Sequence, residues 1–417
     1  MLMSGFPPSP EDRVTLHNWQ DPPFNRWSFS HLRELVPAQP ITNRGPIRFP
    51  ADHAAAGMDD WPVALVDGSE TSFAALLERT YTDAVVVISD GVIRYERYFG
   101  ESRFDRTHLL MSVTKSLVGC VAGILADRGL LSPDSPVTTY VPELADSGYA
   151  GATVRDVLDM RSGIKFSEEY TDLDAEVRVM EEAFGWRPAS HSEVPRSIYE
   201  YLPTLTSERD HGGVFDYRSA ETLVLGWVCE RASGARMADL IGDLLWTPMG
   251  AQFPAEITCD SLGTAIHDGG MCATARDLAR FGEVLLHNGH LDGVEIVPAD
   301  WLKSSWRVDP DIREAFDKSV AGPYLPGGWY RNQFWFLPRR HGDVLLALGI
   351  YGQMLYVNPG TRTVAAKLST WPDAQAPVLL NETIAAFDSI GATLAGLPAD
   401  PHAGHHGPPG IASGRVL

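Results

Sequence analysis

Lysine is nearly missing from this chain: of its 34 basic residues only five are lysines, at positions 115, 165, 303, 318 and 367, so arginine carries almost all the positive charge. Cysteine is also sparse. The four thiols (Cys120, Cys229, Cys259, Cys272) lie far apart, without the spacing of a metal site or redox pair. Free, buried thiols are therefore expected, with no metal and no cofactor. No uncharged apolar run reaches the roughly 18 residues of a membrane span. The first ten residues lack a basic segment followed by an apolar one, so no secretory leader and a cytoplasmic location are expected. The formal charge of −20 leaves no clustered cations for phosphate, which argues against nucleic-acid and membrane partners.

What is present fits a globular protein with a substantial core. The 417 residues are 44% hydrophobic and 21% charged, enough for two domains or for one domain carrying a large insertion. Residues 1–60 are rich in proline and polar residues, with Trp19, Trp27 and Phe29 as anchors. A short helix is expected from Thr71 to Arg79. Ala84–Ile88 and Val92–Phe99 flank Asp90-Gly91, a β-hairpin signal. Helical spacing marks Val154–Arg161, Ser192–Leu202, Ser219–Ser233, Met237–Leu245 and Thr274–His287. Strands are expected at Trp329–Leu337, Val344–Gly349, Gln353–Val357 and Thr363–Ser369, then a helix over Pro377–Leu394. The tail from Asp400, with His402, His405 and His406, reads as disordered.

This layout predicts an α+β fold of the layered α/β type: an antiparallel sheet flanked by helices, interrupted by a mainly helical insertion. The expected division is an α/β domain from residues 1–139 and 266–397, a helical domain over 140–265, and a tail over 398–417.

The stretch Leu109–Gly129 reads as one buried helix, apolar around nearly its whole circumference and ended by Gly129. Ser112 and Lys115, three residues apart, share a face of it. A desolvated lysine can lose its proton and act as a base, which arginine cannot. Lys115 is thus expected to activate Ser112 as a nucleophile. The spacing alone is weak evidence, because Ser162-Gly163-Ile164-Lys165 repeats it, but Gly163 follows an apparent helix end and places that pair in a loop. Tyr217, at a loop–helix junction, is a candidate proton shuttle. Gly349-Ile350-Tyr351-Gly352 ends an apolar strand, where the Ile350 N–H and that of Ser112 could form an oxyanion hole.

Ser112-Val113-Thr114-Lys115, Tyr217-Arg218-Ser219 and the glycine-flanked strand, in that order, resemble the serine β-lactamase and penicillin-binding-protein superfamily. The closer likeness is to 6-aminohexanoate-dimer hydrolases and related carboxylesterases. It extends from Asn18-Trp19-Gln20-Asp21-Pro22-Pro23 through Tyr140-Val141-Pro142-Glu143-Leu144 and Thr274-Ala275-Arg276-Asp277-Leu278 to Lys367-Leu368-Ser369-Thr370-Trp371-Pro372-Asp373. The resemblance implies Ser112 as nucleophile, Lys115 as general base and Tyr217 as proton-transfer partner, with oxyanion donors at Ser112 and Ile350. It further implies that Tyr170 contacts the substrate amide and that Trp186, on a mobile loop, closes over the substrate.

The chain departs from the family pattern in places. None of its lysines begins a Lys-Thr-Gly box, which argues against efficient β-lactamase action. Glu181 matches a position that is acidic toward a substrate amine in some nylon-oligomer hydrolases. Asp268 stands where some relatives have an amide and Tyr351 where a histidine is expected; both would shape the acyl pocket. The resulting expectation is a serine hydrolase that forms an acyl-enzyme from small carboxylic esters, and from linear amides such as 6-aminohexanoate oligomers. A transacylase and a non-catalytic ligand-binding relative are the competing readings. The expected partner is a small-molecule ester or amide, and a homodimer is a candidate assembly.

Overall fold

The computed structural model describes residues 1–190 and 193–398. The tail expected from Asp400, its three histidines, and the first residue of the helix expected from Ser192 lie outside them.

An eight-stranded sheet forms the body. Its spatial order is Trp329–Arg331, Phe334–Leu337, Val344–Gly349, Gln353–Asn358, Thr363–Ser369, Thr82–Ser89, Val92–Tyr98 and Ala51–Asp52. Every neighbouring pair is antiparallel except the last, which is parallel. The early hairpin and the late strands therefore meet in one sheet, joined where Thr363–Ser369 pairs with Thr82–Ser89. All eight residues of Thr82–Ser89 are buried, so this strand lies in the middle of the core. Asp90 (φ 53°) and Gly91 (φ 71°) both take the left-handed conformation that a two-residue hairpin needs. Trp19 and Phe29 are buried, and Trp27 nearly so.

The helix expected over Val154–Arg161 ends at Leu158, before Met160 turns left-handed (φ 57°), and three further boundaries differ from expectation for identifiable reasons. Trp329–Leu337 is two short strands, because Asn332 (φ 52°) and Gln333 (φ 68°) make a tight turn in its middle. The helix expected over Ser192–Leu202 contracts to Ile198–Tyr201, started by the Ser197 side chain accepting from Glu200 N–H. The stretch expected as one helix from Leu109 is a strand, a bend and a helix. His108–Leu109 pairs with Met271–Ala273 in a second sheet, whose order is Ala38–Ile41, Ala255–Thr258, Met271–Ala273, His108–Leu109. Periodicity favoured a continuous helix because the apolar run crosses the bend without a break. The helix proper is Val113–Asp127, and Gly129 (φ 69°) follows its end.

From Val113 to Leu125 every residue of that helix is buried. It packs on the sheet strands Phe334–Leu337, Val344–Gly349 and Gln353–Asn358, and on the helix Ser219–Ser233. Ser112 consequently sits where the sheet body, the second sheet and the helical region converge. No helix among the described residues is long and apolar enough to cross a membrane.

Candidate active site

The chain reaches Ser112 through a strained bend. Leu110 N–H is tied to Met271 O at 2.8 Å, and Met111 is left-handed (φ 48°), a conformation that costs a non-glycine residue on the order of 1 kcal/mol. Ser112 then takes right-handed backbone angles as the residue before the helix, and Lys115 N–H donates to its carbonyl at 3.1 Å. The Ser112 N–H has no acceptor among the described residues. It therefore points, unspent, from the start of a helix whose dipole favours negative charge.

Lys115 is 1% exposed. Its Nζ has three oxygen neighbours: the Asp268 carbonyl at 2.7 Å, Ser112 Oγ at 2.9 Å and Ser219 Oγ at 3.2 Å. The nearest carboxylate oxygen, Asp268 Oδ2, is 3.9 Å away. Burial pushes the ammonium down from its usual value, and the carboxyls of Asp268 and Glu168 only partly offset this. Those carboxyls are buried as well, and desolvation pushes both up, with Lys115 pulling them back. All three groups are thus displaced toward their neutral forms by removal from water.

Tyr217, from the loop leading into Ser219–Ser233, presents its ring face to Lys115, with Nζ 5.3 Å from the centroid. Burial holds its phenol well above the usual range, which the Ser112 hydroxyl only partly offsets. Ser219 begins the same helix, and its N–H donates to Glu168. The decoy pair stays apart from this chemistry. Ser162 is buried against Glu221, with its carbonyl accepting from Arg218 at 3.0 Å, while Lys165 is exposed.

Close backbone approach brings the end of the strand Val344–Gly349 to the bend before Ser112. A methyl group on Gly349 would stand 2.7 Å from Leu110 O and 3.0 Å from Met111 Cβ, so only glycine lets the end of Val344–Gly349 lie this near the bend. Ile350 follows and opens the turn Ile350–Gly352. Trp186 is buried, and its indole meets Trp19 and Phe184 edge-to-face at 5.2 and 5.3 Å between centroids. A methyl on Gly269 would lie 3.5 Å from the Trp186 ring and 3.7 Å from the Met111 carbonyl carbon, which puts the indole across Gly269 from the bend.

The remaining expected residues form a second cluster centred on Arg178. Its Nη1 donates to Glu181 Oε2 at 2.7 Å and to Gln20 Oε1 at 2.7 Å, while Nε and Nη2 donate to the Tyr170 carbonyl at 2.9 and 2.7 Å. Gln20 Nε2 donates to the other Glu181 oxygen at 3.0 Å, and Arg187 lies 3.8 Å from Glu181. The guanidinium covers the Tyr170 ring at 5.3 Å, and its charge partly offsets the burial that pushes the Tyr351 phenol up to about 12. Ser112, Lys115, Tyr217 and Asp268 thus surround one point, with Ile350 and Trp186 beside it. Tyr170, Glu181 and Tyr351 are linked to one another through Arg178. Sequence reasoning did not single out Arg178, Gln20 or Glu168, and gave Ser219 no role of its own. Only Ser219 carried a signal, as the last residue of Tyr217-Arg218-Ser219.

Comparison with known proteins agrees with this geometry. Residues 70–388 match the family model described as Beta-lactamase. The chain is 38% identical over 371 residues to the 6-aminohexanoate-dimer hydrolase of Paenarthrobacter ureafaciens, covering 88% of this chain and 91% of that protein. It is 28% identical over 229 residues to Esterase EstB of Burkholderia gladioli, covering 47% of this chain and 53% of the esterase. A solved structure from Bacillus anthracis, described as a candidate 6-aminohexanoate-dimer hydrolase, superposes with a TM-score of 0.83 at 28% identity. That match covers 94% of this chain and all of the other.

Proposed function

The chain belongs to the Beta-lactamase family and is a serine hydrolase of esters and amides, and from that premise we propose that Ser112 is the nucleophile and Lys115 its base. The observation that carries this is the buried Lys115 amine 2.9 Å from Ser112 Oγ. A neutral amine has two donors and one lone pair. The Asp268 carbonyl can only accept, so it takes one N–H, and Ser219 Oγ can take the other. The lone pair is left for the Ser112 hydroxyl.

In the first step Ser112 Oγ attacks the substrate carbonyl carbon as Lys115 takes its proton. The oxyanion is received by the N–H groups of Ser112 and Ile350. Tyr217, held protonated by burial, gives its proton to the leaving oxygen or nitrogen as that bond breaks, and is reprotonated from the Lys115 ammonium. Water then attacks the acyl-enzyme by the same route in reverse, releasing the acid and restoring Ser112.

Neutral acyl groups are the substrates this pocket suits best. Glu181 is neutralised by Arg178 and further satisfied by Gln20, so its carboxylate has little left to offer a substrate ammonium. Tyr170, Trp186, Asp268 and Tyr351 would line the pocket around the acyl and leaving groups. Cytoplasmic placement belongs to the same proposal, supported by four buried free thiols that suit a reducing compartment.

Ser112→Ala tests the assignment. It should abolish both turnover of p-nitrophenyl hexanoate and covalent labelling by a fluorophosphonate. Labelling retained at another residue overturns it.

A further inference from the structure

The turn that carries Ile350 is held in an unfavourable shape from behind. Tyr351 (φ 60°) and Gly352 (φ 87°) are consecutive left-handed residues, and a tyrosine takes that conformation only when its surroundings impose it. Two backbone bonds contribute: Tyr351 N–H donates to Ala374 O at 2.9 Å, and Trp371 N–H donates to Tyr351 O at 3.1 Å. Phe29 meets the Tyr351 ring edge-to-face at 5.4 Å, and a further restraint acts on the turn's backbone through one side chain. Gln353 is 1% exposed, and its Nε2 donates to Ser369 O at 2.7 Å, Tyr351 O at 3.2 Å and Ile350 O at 3.3 Å. Its Oε1 accepts from Ser369 N–H at 3.0 Å.

That pattern fixes which end of the amide is which. Three carbonyl oxygens face one end and an N–H the other, so a flipped amide would set oxygen against oxygen. The amide ties the Ile350 and Tyr351 carbonyls to the strand Thr363–Ser369. The two peptide planes that follow the Ile350 N–H are thereby fixed, while pairing of Gly349 with Gln353 fixes the chain before it.

We propose that Gln353 is a positioning residue for the oxyanion hole: its buried amide clamps the Ile350–Gly352 turn so that the Ile350 N–H points at the oxygen of the acyl group attacked by Ser112. Gln353 touches no substrate and acts entirely through the backbone of that turn. The inference rests on the reading of Ser112 as nucleophile and Ile350 as oxyanion donor.

The test compares a p-nitrophenyl ester with its thionoester, whose larger, softer sulfur makes poorer use of N–H donors placed for oxygen. Wild type should favour the oxoester. Gln353→Met, which keeps the length and loses both donors, should lower kcat on the oxoester by about 100-fold with KM within about twofold. The thionoester rate should change little, so the oxo/thiono ratio collapses, which a general loss of folded enzyme would not produce. Gln353→Glu supplies a second readout should the methionine variant fail to fold. The introduced carboxyl can donate only while protonated, so kcat should fall with rising pH in a range where wild type does not fall. A Gln353→Met enzyme with wild-type kcat and oxo/thiono ratio overturns the clamp, as does a Gln353→Glu enzyme whose pH profile follows wild type. A wild type that does not discriminate between the two esters removes the Ile350 reading and the clamp with it; discrimination kept in the variants removes the clamp alone.

Discussion

Gly349→Ala perturbs the site through a single methyl group, and its effect can be worked from contacts. Gly349 has extended angles (φ −134°, ψ 145°) that alanine adopts freely, so no backbone strain is added. The objection is steric: the new Cβ stands 2.7 Å from Leu110 O and 3.0 Å from both Met111 Cβ and Gln353 Cβ. Ordinary contact begins near 3.4 Å, so about 0.7 Å must be found against the oxygen. Leu110 cannot readily give way, because its N–H is bonded to Met271 O at 2.8 Å. The end of the strand must move, carrying Ile350 away from Ser112. Overpacking of this kind costs about 1–3 kcal/mol of stability. A displacement of several tenths of an ångström at a donor lowers kcat by about 10- to 100-fold, with KM for a small neutral ester nearly unchanged. Steady-state kinetics on p-nitrophenyl acetate together with urea unfolding measures both. An alanine variant with wild-type kcat and stability would refute the close approach of the Gly349 strand end to Ser112.

Three further outcomes follow from the buried charges. Burial lowers the Lys115 pKa, so kcat/KM should rise with pH as the amine loses its proton and level off well below the 10.5 of a free lysine; Lys115→Arg, which stays charged, should lose about 10³-fold or more and show no such rise. Burial lowers Lys367 to about 7 against 10.5 unfolded, so the unfolded chain holds the extra proton between those values and this group makes stability rise with pH. Its contribution changes by about 2 kcal/mol from pH 7 to pH 9, so the stability of Lys367→Met relative to wild type, read by urea unfolding, should be more favourable at pH 7 than at pH 9 by about that amount. Arg178→Met removes the nearer of the two cations on the buried Glu181 carboxylate, leaving only Arg187 at 3.8 Å, and should cost about 3 kcal/mol, part of it recovered by adding Glu181→Gln. Where the single variant stays folded, its preference should shift toward a 6-aminohexanoyl ester over a hexanoyl ester, read as the ratio of their kcat/KM values.

Local signals gave away the sheet and the Ser112–Lys115 pair, and long-range contacts hid the rest. Asp90-Gly91 announced its hairpin because two left-handed residues in succession favour those types. Lys115 stood out because so few lysines exist and this one interrupts an apolar run. The bend at Met111 was invisible, since its left-handed angle is imposed by pairing of His108–Leu109 with Met271–Ala273, some 160 residues away. The same reason hid the second sheet, whose strands are too short to show a period. The partners of Glu181 stayed hidden because nothing in its neighbourhood reveals that Arg178, one helical turn earlier, and Gln20, at the other end of the chain, both bond it. Gln333 at a hairpin turn, where asparagine or glycine is usual, made one strand of two.

The seam between Thr82–Ser89 and Thr363–Ser369 also bears on how the enzyme comes into being. The central strand finds its partner only after roughly 280 further residues have been synthesised, an extreme of non-local pairing. Until then a strand with the apolar run Ala84–Ile88 at its centre has an open edge, the kind of surface that invites aggregation and chaperone capture. The Ser112 helix rests on Gln353–Asn358 and its neighbours, which emerge equally late. Ribosome-bound chains should therefore carry the complete Ser-x-x-Lys pair and still fail to react with a fluorophosphonate, acquiring reactivity abruptly once residue 369 has cleared the exit tunnel.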